Sequence, residues 1–281
     1  HYCFIEEAED NLVASTGFAV VSAKDGKADP RFLYYLLTTD KYTRKLTQIA
    51  EGHTSDYPSF NPDVIEKSKF LLPSFDEQTT IGMIFSSLDQ KVELLRRQNK
   101  TLEEIIRTIF NNMYTERLVE DVIPKGWETT SLFDLVDHLK ETVSPQKEGK
   151  THYAHYSIPA FDTDQKPSFE VGARIMSNKY RVQDGTILLS KLNPNTPRIW
   201  AIFITNPNSI CSTEFQVLKP KDKVSFAFVY SLLAFSEFAR DLAGKVQGTS
   251  SSHQRLRPED ILGMTFPFPS EMEIKDFSAT T

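Results

Sequence analysis

Lys191-Leu192-Asn193-Pro194-Asn195-Thr196-Pro197-Arg198 is the stretch of this 281-residue chain whose side chains are best equipped for chemistry. Two prolines forbid regular structure there, so the segment is a loop. It offers ammonium and guanidinium groups that neutralise phosphates. It also offers amide and guanidinium forks that match base edges, Asn with adenine and Arg with guanine. A second polar loop, Gly248-Thr249-Ser250-Ser251-Ser252-His253-Gln254, runs into Arg255 and Arg257. Any one of these residues is explained as well by a solvated loop. The argument rests on both loops belonging to one domain.

Charge sharpens it. The formal net charge of −6 argues mildly against a polyanionic partner, yet residues 1–123 hold 14 basic against 20 acidic residues, which is the whole imbalance. Residues 171–257 hold 12 basic against 5 acidic, the footprint of a phosphate-binding face. Scattered lysines on a solvated surface explain charge alone equally well.

Catalytic patterns are missing. There is no Gly-rich phosphate loop, and the Asn-Pro pairs at Asn61, Asn193 and Asn206 lack the following Pro-aromatic of an amino-methyltransferase. Six histidines and two cysteines show no zinc spacing, and no Ser–His–Asp order stands out. Glu259 with Glu273-Ile274-Lys275 is a faint nuclease-like arrangement set in a structural strand and a terminal stretch. No catalytic residue and no metal site is therefore expected.

The elements that position the loops are repeated. Sliding the chain by 196 residues matches Phe32, Tyr34, Leu36 and Leu37 with Phe228, Tyr230, Leu232 and Leu233. It continues through Gly52/Gly248, Pro62/Pro258, Phe70/Phe266, Pro73/Pro269, Ser74/Ser270 and Glu77/Glu273, 14 identities in 46 positions. Average residue usage gives about 3. Each copy reads as a short strand (18–21; 215–218), an amphipathic helix (30–49; 225–246), a polar loop after a helix-ending Gly, a Pro-introduced turn and a final strand (69–72; 265–268). The second copy carries a further stretch of residues ahead of Ser212. There Trp127 leads through a strand or turn into a short helix, and Asp184-Gly185 marks a turn.

Between the copies Ile81, Leu88, Leu95, Leu102 and Ile109 recur every seven residues, with Phe85, Val92, Asn99, Ile106 and Met113 as a second series offset by four. This is the a/d seam of a coiled coil, roughly 50 Å long at about 1.5 Å per residue. A buried core helix is the alternative, but the flanking charges leave only one narrow apolar stripe.

Tyr156-Ser157-Ile158-Pro159-Ala160-Phe161-Asp162, Asp184-Gly185-Thr186-Ile187-Leu188-Leu189-Ser190-Lys191-Leu192-Asn193-Pro194, Ile210-Cys211-Ser212-Thr213-Glu214-Phe215 and Pro73-Ser74-Phe75-Asp76-Glu77-Gln78 entering a long helix resemble the specificity subunit of type I restriction–modification systems. The resemblance covers nearly the whole chain. It implies an α+β fold, with one complete and one partial target recognition domain, each a mixed β-sheet with helices, joined by a long coiled-coil spacer helix. Residues 1–75 would be the distal half of a first recognition domain, 76–123 the spacer, 124–273 the complete second domain and 274–281 a tail where a second spacer helix starts. The chain opens on His1 and stops soon after Phe277, so the expectation is a chain cut at both ends.

The resemblance further implies a non-catalytic, sequence-specific DNA-binding subunit reading part of a bipartite target. Lys191, Asn193, Asn195, Arg198, Ser250, Ser251, Gln254, Arg255 and Arg257 would be its DNA-facing residues. Its implied partners are double-stranded DNA, methyltransferase subunits that supply the S-adenosylmethionine chemistry, and a restriction/translocase subunit; the chain binds no cofactor itself. A homodimer through antiparallel spacer seams is a further expectation. The alternatives are a coiled-coil adaptor that has lost DNA recognition and the recognition part of a fused nuclease–methyltransferase. Cys3 and Cys211 make no disulfide framework, which suits a reducing cytoplasm, and no apolar run approaches the roughly 18–20 residues of a membrane span.

Overall fold

The computed structural model describes residues 2–7, 10–52, 60–118, 122–194, 196–203, 206–236, 241–242 and 255–281. The chain divides into two compact units, residues 1–101 and 102–281. The fold is mixed helix and sheet, as expected.

In the first unit, α1 (Pro30–Leu37) starts where Asp29 accepts a hydrogen bond from the Phe32 amide and Pro30 fills the first turn. The single helix expected over residues 30–49 is two. Thr38 and Thr39 break it, their hydroxyls donating to the carbonyls of Tyr34 and Leu36, both at 2.9 Å. Extended Thr39 then opens α2 (Asp40–Glu51). Gly52 follows with φ −71°, so it does not end the helix in the left-handed conformation that the sequence suggested. After α3 (Asp63–Glu66) comes the long helix α4 (Phe75–Met113), whose 39 residues cross the boundary between the units. The strands expected at 18–21 and 69–72 do not form: both segments are irregular, with Val20 and Leu71 exposed.

The second unit shows why. Its β1 (Glu128–Ser131) leads through α5 (Leu132–Leu135) into β2 (Val136–Leu139) and β3 (Thr142–Val143). There follow β4 (His152–Tyr156), α6 (Ile158–Asp164), β5 (Ser168–Val171), β6 (Lys179–Arg181), β7 (Thr186–Ser190), β8 (Ile199–Ile202), β9 (Ser209–Ser212) and β10 (Phe215–Pro220). The chain continues with α7 (Phe226–Phe235), α8 (Pro258–Leu262), β11 (Thr265–Phe268) and α9 (Glu271–Thr280). The strands equivalent to those missing from the first copy are here β10, held between β2 and β7, and β11, paired with β1. A strand's amides and carbonyls need a ladder. The described residues of the first unit supply none for residues 18–21 or 69–72.

A four-stranded antiparallel sheet has the order β2-β10-β7-β8, and a five-stranded sheet the order β3-β6-β9-β4-β5 with β4 and β9 parallel. Asp184-Gly185, with Gly185 at φ +67°, is the turn by which the chain passes from the second sheet to β7 of the first. Every residue of β7 is buried because both its faces are covered. Leu188 joins Val217, Phe215, Trp200, Tyr156 and Cys211 in one core; Ile187, Leu189 and Leu218 join Phe228, Leu232 and Leu233 of α7 in the other.

The last turns of α4 belong to that second core. Phe110 is wholly buried, with ring centroids 5.0 Å from Tyr114 and 5.9 Å from both Phe228 and Phe277, and Tyr114 stacks on Trp127 at 5.4 Å. Ile106, Ile109 and Met113, expected on a seam between chains, lie partly buried against this core of their own unit. The earlier seam residues Phe85, Leu88, Val92, Leu95 and Leu102 are 45–56% exposed, and Asn99 is exposed among them. The stretch from residue 274 lies within helix α9, which buries Ile274 and Phe277.

Candidate nucleic-acid interface

Because β10 runs antiparallel to both its neighbours, β2 and β7 finish at the same end of the four-stranded sheet. Val217 pairs with Leu139 on one side and Leu188 on the other. Lys140 and Lys191 therefore leave from one end of the sheet, where Glu214 leads into β10. The loop after β7 is anchored there. The Lys191 amide donates to the Glu214 carbonyl at 2.8 Å, the Leu256 amide donates to the Lys191 carbonyl at 3.0 Å, and Leu192 bridges Arg255. Two further bonds close the base, from the Ser190 amide to the Arg198 carbonyl at 2.9 Å and from the Leu192 amide to Ser190 Oγ at 3.1 Å. The Lys191–Leu192 segment thus meets Arg255–Leu256; the polar loop Gly248–Gln254 before it lies outside the described residues.

Within the loop Asn193 is exposed at φ +50°, a left-handed conformation that Asn tolerates better than most residues, and its carbonyl accepts from the Thr196 amide at 2.8 Å. Pro194 is buried. Asn195, Ser250, Ser251 and Gln254 lie outside the described residues. Arg257 is exposed at the N-cap of α8.

Two of the arginines expected to face DNA are held by carboxylates of their own unit. Arg198 makes a two-pronged contact with Asp162 of α6, Nε to Oδ1 at 2.6 Å and Nη2 to Oδ2 at 2.9 Å, and only 13% of its side chain is exposed. Its third nitrogen is buried without a hydrogen-bond partner among the described residues. Arg198's hydrogen bond holds the Asp162 carboxyl below its usual range. That makes Arg198 a tie between the loop and α6 rather than a donor open to bases. Arg255 Nη2 donates to Glu214 Oε1 at 2.9 Å but stays largely exposed, so its remaining N–H groups are accessible.

Lys191 is half-buried, with Nζ 6.0 Å from the Tyr180 ring centroid. Burial lowers its pKa, partly opposed by Glu214 and reinforced by Arg255 and Lys140. His138, on β2, is also lowered by burial and then by Lys140 and Lys191, with Glu259 opposing. Sequence reasoning missed His138 and Lys140. Their signal was the alternation Val136-Asp137-His138-Leu139-Lys140, which puts His138 and Lys140 on one face of an edge strand.

No group of three or more His, Cys, Asp or Glu able to hold a metal occurs among the described residues, and none of the described helices is long and apolar enough to cross a membrane. Glu259 and Glu273 share no site: Glu273 caps α9, with its carboxylate accepting from the Ser270 amide and hydroxyl.

Comparison with known proteins adds the family. The model of the type I restriction modification DNA specificity domain matches residues 2–104 and 124–276. The chain is 28% identical over 169 residues to the type I restriction enzyme MjaIX specificity subunit of Methanocaldococcus jannaschii, covering 56% of this chain and 38% of that protein. It is 30% identical over 115 residues to the type I restriction enzyme HindI specificity subunit of Haemophilus influenzae, covering 41% of this chain and 25% of that protein. These matches span well under half of the relatives' own length. Among solved structures, the S subunit of a type I restriction–modification system from M. genitalium superposes with a TM-score of 0.51 at 14% identity, over 91% of this chain and 66% of that one. At that identity the likeness speaks for the fold alone.

Proposed function

The chain belongs to the type I restriction modification DNA specificity family, and from that premise we propose that it is a non-catalytic subunit reading part of a bipartite DNA target. The observation that carries the reading is the occurrence of two matched specificity regions in one chain, the first running through most of the long helix and the gap at 105–123 opening with that helix's last turns. The basic end of the four-stranded sheet supports assigning base and phosphate contacts to the second region. Lys191 and the exposed Asn193 sit there on a loop pinned at its base, which favours a fixed geometry over an adaptable one.

In this reading methyltransferase subunits carrying S-adenosylmethionine and a restriction/translocase subunit assemble on the chain, which holds no cofactor of its own and works in the cytoplasm. The long helix acts as spacer between half-site readers. Selection of bound duplexes from a random pool, with and without methyltransferase subunits, tests it. Enrichment of one or two short sequence blocks is expected. Binding without any sequence enrichment, or metal- or cofactor-dependent turnover by the isolated chain, would overturn it.

A second reading, a helical adaptor whose domains no longer select DNA, is favoured by one observation: the stripe Phe85, Leu88, Val92, Leu95 and Leu102 is exposed over consecutive turns of α4. Both readings include pairing of two copies through antiparallel stripes. A dilute-solution monomer by analytical ultracentrifugation excludes that pairing.

A further inference from the structure

Four basic residues lie at one end of the four-stranded sheet, and only two of them were visible as candidates in the sequence. His138 and Lys140 stand on one face of β2, since His138 pairs with Leu218 and side chains alternate along a strand. Lys191 leaves β7 two strands away at the level just beyond Lys140, and Arg255 bridges the next residue, Leu192. Among the described residues neither ammonium nor the imidazole makes a side-chain hydrogen bond, although Lys191 and His138 are half-buried. The partial burial of Lys191 is offset in part by the Tyr180 ring and the Glu214 carboxylate, and an anion arriving at this point offsets it further.

We infer that His138, Lys140, Lys191 and Arg255 form a subsite for one backbone phosphate of duplex DNA, and that His138 takes up a proton when the phosphate binds. The inference rests on the reading of the chain as a DNA-recognition subunit. The groups facing His138 are Lys140 on its own strand, Lys191 at the end of β7 and Glu259 on α8; Asp137 and Lys219, paired with each other, face the opposite side. Without DNA, burial and then the two lysines disfavour the imidazolium, and Glu259 only partly offsets them. A bound phosphate reverses the local sign and favours imidazolium. The complex then holds one more proton than the free protein. Affinity therefore rises as pH falls below the value at which the bound ring titrates, and levels off once the free ring is also protonated.

The test is DNA affinity of the full chain between pH 8 and pH 5.5, at fixed salt, for the parent, His138→Asn, Lys140→Met and, as a control outside the cluster, His155→Asn. The parent is expected to tighten by up to about tenfold per pH unit, the limit for one proton. His138→Asn should lose most of that slope, and His155→Asn should keep it. Lys140→Met should weaken binding on all sequences alike and lower the log–log salt slope by about 0.9. A His138→Asn profile parallel to the parent's, with DNA binding retained, overturns this subsite and leaves the recognition reading standing. Parent protein that binds no duplex at any pH overturns both.

Discussion

Trp127 Nε1 donates to Glu273 Oε2 at 2.9 Å, tying the entry of β1 to the first turn of α9 across 146 residues of sequence. The same oxygen accepts from the Ser270 amide at 3.0 Å and hydroxyl at 2.7 Å, while the other carboxylate oxygen pairs with Arg117. The first copy repeats the cap without the tie: Glu77 Oε2 accepts from the Ser74 amide at 2.9 Å and hydroxyl at 2.7 Å.

Burial works against ionisation of Glu273, but the hydrogen bonds from Ser270 and Arg117 prevail and hold its pKa below the ordinary glutamate value of 4.5. A lowered folded-state pKa contributes stability that is present above the unfolded-state value and is lost as pH falls through the folded one. Glu273→Ala should therefore destabilise the second unit by about 1–3 kcal/mol at pH 7, and by progressively less below about pH 4.5. Urea unfolding followed by the fluorescence of Trp127 and Trp200, both in the second unit, at pH 7 and pH 3.5 measures both.

Position 82 and its repeat partner 278 differ in a way that the caps explain. A Cβ on Gly82 would lie 2.8 Å from Asp29 Oδ1, 3.0 Å from the Phe32 amide nitrogen and 3.1 Å from Arg31 Cβ. At the equivalent place the shorter cap Ser225 leaves room for Ser278, whose hydroxyl donates to it at 2.5 Å. Gly82→Ser should cost about 1–3 kcal/mol through overpacking. This exceeds the gain of up to about 1 kcal/mol from removing a helical glycine. Asp29→Ser in the same chain should recover part of it, a coupling that a double-mutant cycle on thermal unfolding would register.

Phe110 and Leu95 lie on one helix in opposite situations. Phe110→Ala removes a wholly buried ring and should destabilise the second unit by about 3–5 kcal/mol. Leu95 is 45% exposed, so Leu95→Ala should change stability in dilute solution by less than about 1 kcal/mol. If two copies pair through this stripe, it should also weaken their association. Chemical denaturation and sedimentation velocity separate the two effects.

Arg198 and Lys191 flank one loop and should answer differently to removal. Arg198→Ala loses a two-pronged ion pair and leaves Asp162 alone, lowering stability by about 1–3 kcal/mol with little change in the salt dependence of DNA binding. Lys191→Ala should be nearly neutral to stability and should lower the salt slope by about 0.9. Equal salt slopes for Lys191→Ala and the parent would remove Lys191 from the interface.

Local signals were legible. The long helix and the loop broken by Pro194 and Pro197 follow from near neighbours; the caps at Asp29, Ser225 and Ser270 and the Ser74–Glu77 and Ser270–Glu273 boxes are as local, reaching amides three residues on, but were missed in the sequence. The duplication was legible too, since it needs only comparison of the chain with itself. Where each copy's strands would find a ladder was not: Thr265–Phe268 is a strand because Glu128–Ser131 lies beside it, while its counterpart at 69–72 is irregular. Nor could the sequence say which cations are engaged. Arg198 and Asp162 are 36 residues apart and meet only because β8 and α6 are packed together, whereas Lys140 and Lys191 leave from one end of the sheet only because β10 separates two strands running the same way. Helical periodicity and capping are set within a few residues of the chain, but ion pairing, burial and strand register depend on segments brought together from far apart, and only the tertiary structure decides those.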